Sequence, residues 1–237
     1  VRKTVLLLLI VGILLVSLSL VGCGESNSSS SNNQGVTNNE PSGDANNQGE
    51  QNENIVQVSK ENPMVVNEDN NTISVYATVN GKYLVEPTIH GLNELEGSVA
   101  PKALFVTNAN TLEFHDALIN LGATPGNNLD LSDDSKGKYV EGDDLKVSIT
   151  WDGANKEYDI SEVIIDSQGK PFAFKFGGNY DLAKEKYTGC MLCLESCPIG
   201  IVSNSAQTFA EGVSEFRGNK DILPSDGTPV FITYKLN

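Results

Sequence analysis

Cysteine is nearly absent from this sequence. Of the four in 237 residues, three fall at 190, 193 and 197 and the fourth is Cys23. Basic residues are also scarce, 16 against 31 acidic, giving a formal charge of −15. That balance excludes nucleic-acid binding, which needs a basic surface to replace phosphate counterions. No G-x-S-x-G, no H-E-x-x-H and no phosphate loop occurs, so the sequence assigns neither a catalytic residue nor a reaction. The sparse cysteine is concentrated, and the stretch that holds it organises the reading.

A long apolar run occurs at Val5–Val21, preceded by Arg2 and Lys3 and followed by Leu20-Val21-Gly22-Cys23. This order of positive n-region, apolar h-region and small residue before cysteine fits a secretory signal and resembles a bacterial lipobox. Residues 1–22 are therefore expected to be a cleaved lipoprotein signal peptide, with Cys23 carrying the lipid, palmitate included. The rival is an uncleaved membrane anchor, since about 17 apolar residues come close to spanning a bilayer. On either reading the domain is extracytoplasmic and held at the cell membrane. From 23 to 54 the chain is mostly Ser, Asn, Gln, Gly and Glu, too polar to offset the entropy of ordering. This is a tether with a reach of roughly 30 Å.

Structure is expected over 55–237. Ile73–Val79 alternates as a half-buried strand does, and Asn80-Gly81 predicts a type I′ turn with Lys82–Glu86 as the returning strand. Ala103–Thr107, Leu145–Trp151, Phe172–Phe176 and Val230–Tyr234 are further strand candidates. One helix stands out: Asn110 or Thr111 caps it, Phe114, Ala117, Leu118 and Leu121 form its stripe, and Gly122 and Pro125 stop it. A shorter helix is expected over 180–187. The fold class is then α+β, a mainly antiparallel sheet with one main helix and a cysteine-bearing C-terminal segment.

That segment, Cys190 to Pro198, reads C-x2-C-x3-C-P. The spacing coincides with the last three cysteines of the bacterial ferredoxin run, whose thiolates hold an iron–sulfur cluster. The first cysteine of that run is replaced by Tyr187. Cys190, Cys193 and Cys197 are therefore the candidate ligands of an iron–sulfur cluster or another metal, with a fourth position left open. Two blander readings stand beside this one. On a helix the three would share one face as small core residues, or two would form a disulfide and leave one free thiol. Export adds a conflict for a ferredoxin, because Arg2-Lys3 is not a twin-arginine pair and iron–sulfur centres are generally loaded in the cytoplasm.

Lys102–Thr107, Phe114–Ala123 and Thr124-Pro125-Gly126, followed by Gly142 and the strand Val147–Trp151, resemble the core signature of the YdjY-like domain. The resemblance covers roughly residues 60–180. It implies an exported domain of undefined activity, some members of which carry a ferredoxin name because of a similar cysteine motif.

Other candidates weigh less. His90 or His115 would complete a Cys3His zinc set if brought within reach; Asp181, Glu185 or Glu195 would supply oxygen instead. Lys184 and Lys186 precede Cys190 and would depress a thiol pKa, with Glu185 and Glu195 acting in the opposite sense. Asp130, Asp133, Asp134, Glu141, Asp143 and Asp144 lack calcium-loop spacing and read as solvated turns. The expected function is a membrane-anchored extracytoplasmic lipoprotein with a cysteine-ligated iron–sulfur or metal site, serving electron transfer or metal handling. Its partners would be the membrane, through the lipid, and a redox protein. The alternatives are a non-enzymatic binding or scaffold domain with a disulfide and one free thiol, and a thiol–disulfide exchanger.

Overall fold

Alternating burial builds the strands of this protein. In the computed structural model, which describes residues 57–133, 137–208, 210 and 214–237, every second residue from Ile73 to Val79 is buried. The signal-peptide, Cys23 and tether expectations, and Asp134, lie outside the described residues. The strands in chain order are β1 (Met64–Asn67), β2 (Thr72–Val79), β3 (His90–Glu94), β4 (Ala103–Thr107), β5 (Asp144–Thr150) and β6 (Tyr158–Asp159). They continue as β7 (Ile164–Asp166), β8 (Phe174–Phe176), β9 (Cys190–Cys193), β10 (Val202–Asn204), β11 (Phe216–Gly218) and β12 (Pro229–Leu236). The helices are α1 (Thr111–Asn120), α2 (Ile160–Val163) and α3 (Tyr180–Lys186).

Strand pairing runs β2-β12-β5-β8-β10-β9-β3-β4, and β4 returns to β2 through Thr78 opposite Val106. The eight strands thus close into a barrel. β1 and β6 pair outside the ring, and β7 with β11 forms a separate ribbon. The pairs β3–β4 and β9–β10 are parallel while the other pairs in the ring are antiparallel. This corrects the expected α+β fold with a mainly antiparallel sheet and a main helix: the body is a closed mixed β-barrel with few helices. Parallel neighbours usually betray themselves by a helical crossover. Here they are joined by short connections with no α-helix, 95–102, which ends in the 3₁₀ turn Ala100–Lys102, and 194–201.

The core lies where inward faces meet, with Ile73, Val75 and Ala77 of β2, Val147 and Ile149 of β5, and Val230, Ile232 and Tyr234 of β12. Burying such side chains stabilises the fold by about 1.5–3 kcal/mol each. Helix α1 adds Phe114 and Leu118, and the Phe114 and Tyr234 rings lie 4.7 Å apart. As expected, Asn110 caps α1, its Oδ1 accepting from the amides of Leu112 and Glu113. The Asn80-Gly81 hairpin does not form. The chain enters a 3₁₀ turn, Gly81–Leu84, because Asn80 Nδ2 donates to Ala103 O and Gly81 N donates to Asp226 Oδ1, and β2 pairs instead with distant β12.

Candidate functional site

Strand β9 carries Cys190 and Cys193 into the barrel wall, where they are 3% and 2% exposed. The segment is extended, so the helical reading of the three cysteines is set aside. On a regular strand positions i and i+3 point to opposite faces. The β3–β9 ladder is irregular between Cys193 opposite His90 and Cys190 opposite Asn93, and such a bulge turns a side chain to the other face. Cys190 and Cys193 consequently meet.

The third thiol comes back because β9 and β10 are parallel. The connection 194–201 must retrace the length of β9 before Val202 pairs with Leu192, so half-buried Cys197 returns beside Cys193. Asn179 holds that loop, its Nδ2 donating to the carbonyls of Cys197 at 3.2 Å and Gly200 at 3.1 Å. Gly200 is required by close approach. A Cβ there would stand 2.6 Å from Cys193 Sγ and 2.7 Å from Ser203 Oγ. The three cysteines are free thiols.

Strand β3 supplies the polar partners. Asn93 Nδ2 donates to Cys190 Sγ at 3.3 Å and to Thr188 O at 3.1 Å, and His90 Nδ1 lies 3.6 Å from Cys190 Sγ. The Cys193 thiol, which donates to Cys190, and then His90 hold the Cys190 thiol well below the usual cysteine range, against the opposing effect of burial. The same contacts, with Cys190 and Cys197 both beside it, and its own burial push Cys193 well above that range. Asn93 Oδ1 and Ser203 Oγ are buried without a hydrogen-bond partner, a feature that calls for an explanation in a packed interior. Among the described residues, no three His, Cys, Asp or Glu side chains already stand in a metal-holding arrangement.

The structure thus brings His90, not His115, to the thiols. His115 is packed with Phe176 at 5.2 Å and Tyr180 at 4.9 Å, its Nδ1 3.1 Å from Asp116. Asp181, Glu185, Lys184 and Lys186 are exposed on α3, with Glu185 paired to Lys186, and no lysine is among the causes of the Cys190 shift. Glu195 is half-buried. Acidic residues of the 130–144 segment serve turns and ion pairs: Asp143 accepts from Thr124 N, and Asp144 pairs with Lys175 at 2.6 Å. Asn93, Asn179 and Gly200 escaped the sequence reading. Only the Gly200 position two residues after Cys-Pro offered a local cue.

The YdjY domain family model matches residues 64–235, so the match runs past the 60–180 resemblance and includes the cysteine stretch. An uncharacterized protein of Escherichia coli (strain K12), YdjY, is 40% identical over 183 residues, 76% of this chain and 81% of that protein. No solved structure matches. On the extent of the family match and the identity of this relative, the chain belongs to the YdjY domain family.

Proposed function

We propose that this chain is an extracytoplasmic lipoprotein, anchored through lipid on Cys23, whose Cys190, Cys193 and Cys197 bind a metal ion or iron–sulfur cluster with His90 as the fourth ligand, for metal handling or electron transfer. The observation that carries the reading is the 3.6 Å between Cys190 Sγ and His90 Nδ1. A tetrahedral ion at ordinary zinc bond lengths sets its sulfur and nitrogen ligands about 3.6 Å apart. Two buried orphan oxygens beside the thiols support a polar occupant. The spacing suits a single ion better than a multi-iron cluster, which spreads its ligating sulfurs further. Cys193 already contacts both other thiols, so closing the set needs Cys197 to turn toward Cys190. A bound ion would supply a closed thiolate site, or with iron an electron carrier.

Metal analysis and visible absorption of anaerobically purified protein test the proposal. About one metal per chain is expected, falling more than about tenfold in affinity in Cys197→Ser and His90→Ala while circular dichroism is unchanged. A colourless protein that takes up neither zinc nor iron overturns it. Cys23→Ala should move the chain from the membrane to the soluble fraction, and retention at the membrane would refute the lipid anchor.

A further inference from the structure

A pocket of about 290 Å³ opens beside His90. Its apolar walls are Tyr83, Pro87 and Ile89, and its polar positions are Thr88, His90, Lys102 and Ser214. The pocket is built rather than incidental. Tyr83 is buried in the 3₁₀ turn after β2 and its hydroxyl donates to Pro101 O at 3.0 Å. Thr88 ties two of the polar positions together: its hydroxyl donates to Lys102 O at 2.5 Å and accepts from His90 N at 3.0 Å. Its own amide donates to Phe216 O, and the Ser214 hydroxyl is held by Asp166. The backbones of the residues that carry the cation and the imidazole are therefore tied to one buried residue.

Charge selects the ligand. Lys102 is the lining residue with a permanent charge, and among the described residues it has no ion-pair partner. The neighbouring Lys82 is occupied by Glu86 at 3.4 Å and lies over the Tyr83 ring. In a chain of net charge −15, a pocket whose one fixed charge is positive runs against the overall field. Apolar walls with one convergent cation are the usual composition of a site for an amphiphilic small molecule.

We propose that this pocket binds a small organic carboxylate with an apolar body, the carboxylate on Lys102 and the body against Tyr83, Pro87 and Ile89, within reach of His90. Because His90 also contacts Cys190, the pocket is the small-molecule side of the thiol centre. The pocket stands whatever the thiols hold; only that last link rests on the function proposed above.

The test is a titration of the full chain, chelator-treated to remove metal, with 2-naphthoate, followed by backbone amide NMR. Shifts at Ile89, His90, Lys102 and Ser214 are expected, saturating with a Kd of about 1 mM as suits a ligand of this size. Lys102→Gln, an exposed position, should weaken binding by about fivefold, and neutral 2-naphthamide should bind the native chain about fivefold more weakly than naphthoate. Binding should also weaken with salt. Absence of saturable shifts, saturation at other residues, or equal affinity for the acid and the amide overturns the proposal. Naphthoate binding in a chain that takes up no metal would refute only the function proposed above, and metal uptake without naphthoate binding only the pocket.

Discussion

At the scale of single residues, the decisive contact is between two side chains a hundred positions apart, Cys190 and His90. The donation from Cys193 and the proximity of His90 lower the Cys190 pKa, while Cys193 is raised. The linkage has opposite signs for the two. An ionised Cys190 stabilises the fold above the unfolded value of about 8.5, and this contribution is lost as pH falls through the depressed folded value. Protonated Cys193 stabilises the fold below about 8.5, a contribution lost as pH rises through its raised value. In metal-free protein, thiolate ultraviolet absorbance should therefore rise in separated steps, one below and one above the ordinary range, and His90→Ala should move the lower step upward. A single step near the ordinary value for all three thiols would refute the arrangement. The cysteine spacing was legible as a ligand pattern, but the choice of His90 over His115 was not. Each histidine sits next to an apolar run, and nothing local says which one faces sulfur.

At the scale of elements, helix α1 shows what local sequence specifies well. Its Asn110 cap accepts two amides, and Glu94 of β3 reinforces the same end through Asn110 Nδ2 and Thr111 N. Asn110→Ala should cost about 1 kcal/mol and lower Tm by about 2–4 °C in thermal unfolding, without changing metal content. The loop after β9 behaves differently, because Gly200 is demanded by a neighbour and not by its own backbone. Gly200→Ala would press a Cβ against Cys193 Sγ, so we expect lower Tm and loss of metal uptake together. Unchanged values of both would refute the close approach. The strands β2, β5 and β12 were readable from alternation, whereas Asn80-Gly81 misled. Its hairpin preference is worth little against the bonds that Ala103 and Asp226 offer to that turn.

At the scale of the whole molecule, β12 is bonded to β2 on one side and β5 on the other and buries Val230, Ile232 and Tyr234 between them. Deleting residues 229–237 should open the ring, leaving two unpaired edges and a core without one wall. We expect loss of the dispersed amide spectrum characteristic of the folded chain, and a retained spectrum would show that closure is dispensable. The amino-acid order alone determined where these strands and α1 lie, how α1 is capped and that three thiols could act together, because periodicity, capping and spacing are settled within a few neighbouring residues. Only the tertiary structure decided that the strands close into a mixed barrel, that two pairs of neighbours run parallel, and that His90 and Asn93 stand at Cys190. Those outcomes depend on pairings between remote segments, whose energies exist only once the chain has folded and both partners are present.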